Sequence, residues 1–368
     1  MINRQLKDKL VSLAKSFRMV GILGPRQSGK TTLSKLCFPG YTYVNLEIPD
    51  IRAFAEQDPR GFLKTHTENF EKNVIFDEIQ RVPSLFSYLQ AHVDEHPRKG
   101  QFVLTGSQNF LLSEKIAQSL SGRVALCTLL PCSIAELKQA QVLPKTHEEA
   151  IFNGFYPSVY AEQVVSYDWY VNYLITYVER DVRQMKNITN LSLFEKFLKS
   201  CAGRIGQVLN FTSLASDCGI SVNTAKEWIS LLEASFILFT LQPYYKNFNK
   251  RLIKSPKLFF HDTGLACMLL GIHSPSQLSS HYMRGHLFES MMISDLMKHR
   301  YNQGLQPNIY FWRDQVGNEI DCILEQEGQP QAVEIKAGET VSSDYFDTLK
   351  KWYKIAHVDP KAGFVIYA

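Results

Sequence analysis

Residues 19–36 read MVGILGPRQSGKTTLSKL, and this stretch decides the architecture of the N-terminal third. Met19 to Leu23 is an apolar run of strand length, Thr32 to Leu36 is helical in character, and G-x-x-x-x-G-K-T stands between them from Gly24 to Thr31. A strand that turns through two glycines into a helix aims several backbone N–H groups at one point, and the partial positive charge of the helix N-terminus makes that point attractive to an anion. The amides from Gln27 through Ser28 and Gly29 to Thr31 are predicted to surround phosphate oxygens, with Gly24 and Gly29 letting the backbone close in. Lys30 is expected at the β- and γ-phosphates and Thr31 at a Mg²⁺ ion, with Thr32 completing the contacts to ATP.

A second apolar strand, Asn73-Val74-Ile75-Phe76, runs into Asp77-Glu78. Alone, it reads as a strand ending in a solvated acidic turn; beside a phosphate loop, Asp77 fits the Mg²⁺ shell and Glu78 is the general base for an attacking water. A third strand, Gln101 to Leu104, ends in Thr105-Gly106-Ser107-Gln108-Asn109. Ligands of open parallel sheets bind at that edge. Ser107 and Asn109 are therefore candidate sensors of the γ-phosphate, with an ordinary polar turn as the alternative. A fourth strand, Val124 to Leu130, follows Ser121-Gly122-Arg123, and Pro131 ends it.

This succession of strands and polar ends resembles the AAA+ superfamily. The resemblance implies an α/β fold with a parallel sheet between helices and a P-loop, hydrolysis of ATP, and a possible role for Arg123 as a finger reaching a neighbouring subunit's site, against a plain surface arginine.

The bulk composition sets limits on the rest. At 368 residues the chain exceeds one ordinary core, so two or three domains are expected. A net charge of +4 tolerates nucleic acid without demanding it. The seven cysteines form no C-x-x-C pair, which argues against a zinc site or a disulfide framework and for reduced, buried thiols. With no signal-like leader and no apolar stretch of membrane-spanning length, a cytoplasmic protein is expected.

The pattern turns helical after Asn153-Gly154-Phe155-Tyr156-Pro157, and Tyr170 to Met185 carries Glu179, Arg180 and Asp181 on a helix. Phe211 to Cys218 reads as a helix stopped by Gly219, with a second helix from Ala225 to Ala234 and a β-rich run from Phe236 to Leu241. This is helix-turn-helix spacing followed by a wing. Lys246, Lys250, Arg251, Lys254 and Lys257, interleaved with Tyr244, Tyr245 and Phe248, are placed to meet phosphate. Against that, the second helix has Glu227 and Glu233 and only Lys226 as a base, which suits protein packing equally well. Asp262 is expected to cap the helix that follows it.

Towards the C-terminus, Gly285-His286-Leu287-Phe288-Glu289 opens a helix, and Ile309 to Trp312 is a strand. Asn318 to Leu324 and Ala332 to Lys336 form a predicted hairpin around Glu327-Gly328-Gln329-Pro330. Glu334 and Lys336 share one face of a strand, and Asp321 on the neighbouring strand brings a second carboxylate near enough to hold one divalent ion.

Nearly the whole chain resembles a group of prokaryotic AAA+ ATPases with a winged-helix region and a nuclease-like region. A helical Glu, an Asp and Glu-x-Lys resemble the PD-(D/E)XK nucleases, which implies carboxylates on Mg²⁺ and a lysine that positions the attacking water. On this chain those are Glu289, Asp321, Glu334 and Lys336.

The expected domains are an ATPase at 1–150, a helical connector at 151–194, a winged helix at 195–275 and a nuclease-like α/β domain at 280–368. The expected partners are ATP with Mg²⁺, DNA or RNA, a partner protein or a second copy of the chain, and no membrane. The leading expectation is an ATPase linked to nucleic acid, with metal-dependent nuclease activity as an added function. A regulatory ATPase with protein-binding C-terminal domains is the alternative. A small-molecule kinase fits less well, because two further modules rather than a lid follow the P-loop.

Overall fold

A computed structural model describes residues 2–68, 71–107, 120–176, 188, 190–244, 255–326, 328–340, 342–356 and 363–368. The chain divides into two compact units: residues 1–140 with 234–236 and 298–305, and residues 141–233, 237–297 and 306–368.

The first unit is built on five parallel strands, β1 (Met19–Leu23), β2 (Thr42–Asn45), β3 (Val74–Asp77), β4 (Phe102–Gly106) and β5 (Val124–Thr128), in the order β2-β3-β4-β1-β5. Successive side chains of a strand point to opposite faces, so these short apolar runs feed two cores. Val20, Ile22, Ile75 and Val103 pack with Leu6 and Leu10 of helix α1 (Leu6–Ser16) and Leu33 of α2 (Lys30–Cys37). Met19, Leu23, Val74, Phe76, Phe102 and Leu104 pack with α3 (Pro49–Gln57), α4 (Pro59–His66) and α5 (Leu85–Glu95) through Ala55, Phe62, Leu63, Leu85, Phe86 and Leu89. Helices on both faces of a parallel sheet make the α/β P-loop architecture expected from residues 19–36. The polar strand β2 was not anticipated: TYVN has only Val44 buried.

In the second unit, Phe211–Cys218 ends at Gly219 in the left-handed conformation (φ 71°), and the next helix runs Val222–Ala234. Strand β6 (Leu238–Leu241) then pairs antiparallel with β7 (Lys257–Phe260). Lys246, Lys250, Arg251, Lys254, Tyr245 and Phe248 lie outside the described residues, as do Glu179, Arg180 and Asp181. Two residues expected to meet phosphate are instead buried. Tyr244 packs with Trp312, Ile320 and Trp352, and Lys257 is 2% exposed.

After the helix Arg284–Asn302 come β8 (Ile309–Arg313), β9 (Glu319–Gln326) and β10 (Gln329–Lys336), an antiparallel run. The helix Asp347–Ala356 leads to β11 (Phe364–Tyr367), which returns parallel to β10 to give the order β11-β10-β9-β8. Among the described residues no helix is long and apolar enough to cross a membrane.

Asp262 caps the helix Thr263–Leu269, its Oδ1 accepting from the amides of Gly264 (3.0 Å) and Leu265 (3.3 Å), while Oδ2 accepts from Phe155 N–H at 2.7 Å. One buried carboxylate thus ties together segments 107 residues apart. Asp262→Ala should lower stability by about 3 kcal/mol, combining a lost cap with buried donors left unpaired. Asp262→Asn, which keeps one acceptor oxygen, should lose less. Denaturant unfolding of the full chain tests this, and an Asp262→Ala midpoint equal to wild type would remove Asp262 as the tie.

Candidate functional site

The glycine-rich turn occupies the carboxyl end of β1. Gly24 has φ 152°, and a Cβ there would overlap the Leu129 carbonyl oxygen; Gly29 at φ 92° begins α2. Both positions therefore require glycine. Gln27 also has positive φ, at 60°. The buried Lys30 folds back over the turn, Nζ donating to the carbonyls of Gly24 (2.9 Å) and Pro25 (2.7 Å). Burial lowers its pKa, with Glu78 and Asp77 opposing that effect. Ser28 is buried in the turn, while Thr32, two residues into α2, is exposed.

Asp77, the last residue of β3, collects three hydroxyls. Thr31 Oγ1 lies 2.9 Å and 3.1 Å from its two carboxylate oxygens, Tyr43 OH donates to Oδ2 at 2.7 Å, and Thr105 Oγ1 donates to Oδ1. Burial and the neighbouring Asp77 raise the Tyr43 pKa, so its proton stays in that bond. Glu78 follows in the left-handed conformation, φ 55°, which turns its side chain away from the strand direction. Its Oε2 accepts from Ser107 Oγ at 2.9 Å and from Gln80 Nε2, and its own N–H donates to Thr105 Oγ1 at 3.3 Å. Strands β3 and β4 are adjacent, so Thr105 and Ser107 come alongside Asp77 and Glu78.

Of the residues read from sequence, Lys30, Thr31, Asp77, Glu78 and Ser107 are thus brought together at one sheet edge; Asn109 lies outside the described residues. Thr105, Tyr43 and Gln80 were missed. Thr105 stood in the polar strand end already quoted, whereas Tyr43 sits on a strand with no apolar signal. Arg4 was also missed: it donates to the Ser28 carbonyl (2.5 Å) and the Leu130 carbonyl (2.6 Å), with Nε 3.1 Å from Glu136. Only the tertiary fold puts that arginine behind the loop. Arg123 precedes β5 at the opposite end of the sheet, where it makes two 2.7 Å contacts to Asp94, which it shares with Arg18.

In the second unit, three of the four residues expected from sequence to form a nuclease-like set meet. Lys336 Nζ is 2.8 Å from Glu334 Oε2 and 3.4 Å from Asp321 Oδ2, and Asp321 also accepts from Ile335 N–H at 2.8 Å. Burial, and then Asp321 beside it, push the Glu334 pKa up to about 8. As a carboxylate, Glu334 Oε1 meets no donor among the described residues; when protonated it can share its proton with Asp321. Two carboxylates in this condition fit a cation. The fourth residue, Glu289, pairs instead with Lys257 at 2.9 Å. Among the described residues, no three His, Cys, Asp or Glu side chains form a metal-holding group.

Residues 16–138 match the AAA domain family. Residues 144–276 and 284–368 match two domains of unknown function, DUF8612 and DUF4143. Among solved structures, the Walker-type ATPase of Pyrococcus abyssi is similar at 14% identity and a TM-score of 0.48, covering 73% of this chain and 96% of that one. Uncharacterized proteins of Mycobacterium tuberculosis and Mycobacterium bovis are each 30% identical over 329 residues, 88% of this chain and 71% of theirs. The chain belongs to the same family as these two mycobacterial proteins, and its N-terminal third is an AAA domain on a P-loop sheet.

Proposed function

We propose that this chain is a Mg²⁺-dependent ATPase whose nucleotide cycle governs how its C-terminal domains engage nucleic acid. The observation that carries the ATPase reading is the meeting of Thr31 with Asp77 at 2.9 Å, one residue from Lys30 and one from Glu78. On binding ATP, Lys30 exchanges the carbonyls of Gly24 and Pro25 for phosphate oxygens, a stronger, charge-assisted contact. Thr31 and Asp77 are the residues that would hold Mg²⁺, and the bound ion would neutralise charge on the β- and γ-phosphates. Glu78 accepts the proton of the attacking water. Ser107 and Gln80 fix its Oε2, so Ser107 senses the γ-phosphate through the position of the base.

Asp321, Glu334 and Lys336 form a nuclease-like cation site in this reading, supported by the buried Glu334 oxygen that lacks a donor among the described residues and by the burial and nearby Asp321 that raise its pKa. Asp321 and Glu334 would hold the metal, which would supply an activated water, and Lys336 would orient that water. The helices 211–218 and 222–234 with β6 and β7 are read as a winged helix. The rival reading makes the C-terminal domains protein-interaction modules, and the burial of Tyr244 and Lys257 favours it, because both were expected to face phosphate. ATP turnover with and without DNA separates the two: stimulation by DNA supports the first, and indifference to DNA supports the second.

Lys30→Ala should abolish hydrolysis and most nucleotide affinity, because no other described side chain contacts the carbonyls of both Gly24 and Pro25. Nucleotide binding and turnover at wild-type levels would reject the P-loop assignment.

Glu78→Gln should still bind ATP and slow turnover about 10²-fold or more, the scale of losing a general base. The amide retains the Ser107 contact but not the basicity, so an unchanged rate would place the base elsewhere.

Asp321→Asn and Glu334→Gln should abolish Mg²⁺- or Mn²⁺-dependent cleavage of DNA or RNA, and Lys336→Ala should abolish it too while metal binding persists. ATPase activity should survive in all three. Wild-type protein that cuts neither nucleic acid with either metal would leave this site without nuclease activity.

A further inference from the structure

The acidic side chains near β9 fall into two groups that differ in what already neutralises them. Among the described residues, Asp321 and Glu334 both pair directly with the ammonium of Lys336, and Lys257 acts on Asp321 only at longer range. Glu289 and Glu319 form the second group, and Lys257 stands between them. Its Nζ is 2.9 Å from Glu289 Oε1 and contacts Glu319 Oε1, while Arg313 Nη1 lies 3.2 Å from Glu319 Oε2. The Lys257 side chain is 3% exposed and that of Glu289 is 8% exposed. The lysine arrives on β7, a strand hydrogen-bonded to β6 and outside the β8–β11 sheet.

We infer that Lys257 is a tethered counter-ion that closes the Glu289–Glu319 corner to divalent metal, leaving Asp321 and Glu334 as a separate cation site. Charge counting supports the division. Two carboxylates with Lys257 and Arg313 are neutral, so a divalent ion entering that corner would add two positive charges beside a buried ammonium held by its strand. Asp321 and Glu334, when both are ionised, carry one charge more than Lys336 neutralises, and that is the charge a cation would balance. Geometry points the same way, because an ammonium offers three donors and satisfies two carboxylate oxygens here, whereas a divalent ion must gather about six oxygens. Lys257 thereby does for Glu289 and Glu319 what a metal would do, and it makes the β6–β7 pair part of the C-terminal site. Removing one member of a buried ion pair leaves the other charge uncompensated, so a variant without the lysine should seek a replacement cation.

The inference deepens the cation-site reading of Asp321 and Glu334 and rests on it for the second site. The test is Mn²⁺ binding to the full-length, nucleotide-free protein, followed by the paramagnetic resonance of free Mn²⁺, with any ion at the P-loop common to all variants. Lys257→Met should bind one more Mn²⁺ per chain than wild type, and Lys257→Met/Glu289→Gln should lose that extra ion. Glu289→Gln alone should match wild type, and Asp321→Asn should lose an ion that wild type binds. In EDTA, Lys257→Met should melt below wild type, and Mn²⁺ should return at least half of the difference. A folded Lys257→Met with wild-type stoichiometry overturns the inference, as does a Glu289→Gln variant that loses an ion from the wild-type count. Should Lys257→Met fail to fold, Glu289→Gln decides alone. Wild-type stoichiometry in Asp321→Asn would instead sink the Asp321 site, and the Lys257 comparison would stand on its own.

Discussion

The close approach of the Gly24 turn to the backbone of Leu129 is the constraint on which the nucleotide site depends. Leu129 N–H donates to the Leu23 carbonyl at 2.7 Å, and the turn then passes so near the Leu129 oxygen that no side chain fits at position 24. Held there, the loop is braced from behind by Arg4 through the Ser28 carbonyl. The helix dipole adds its charge at the same point.

Asp77 extends the same logic to the neighbouring strands. Its three hydroxyl partners come from α2, β2 and β4, so one carboxylate fixes the relative heights of three elements at the sheet edge. Thr105 joins Asp77 to the backbone of Glu78, and Ser107 reaches the Glu78 carboxylate itself. A displacement of β4 therefore reaches both acids together. This is a short mechanical path of directly bonded groups.

Much of this was legible in the sequence because it is local. The strand, the glycines and the helix of residues 19–36 are contiguous, and Asp77-Glu78 ends an apolar run whose β character is plain. Gly219 likewise marks its helix end by position alone. Strand β2 escaped because TYVN, at the sheet edge, lacks the apolar run that marks β1, β3 and β4, and Tyr43 escaped with it. Lys257 was misread for a related reason: a lysine among aromatic residues looks like a phosphate contact, and its burial depends on Glu289 and Glu319, which lie 32 and 62 positions later. Arg4 depends on partners as far away as Glu136, a separation no local pattern records.

Those separations bear on how the first unit comes together in time. Its interior strand β1 is synthesised early, yet its two neighbours, β4 and β5, begin at residues 102 and 124, and the arginine brace needs Leu130 and Glu136. Until that later segment has left the ribosome, the glycine turn has nothing to press against and the apolar β1 has no partner on either side. Parallel pairing across such distances closes long loops and proceeds slowly. The nascent chain thus carries an exposed MVGIL strand through most of the synthesis of its own ATPase domain, and that interval is when it is most open to aggregation or to capture by a chaperone.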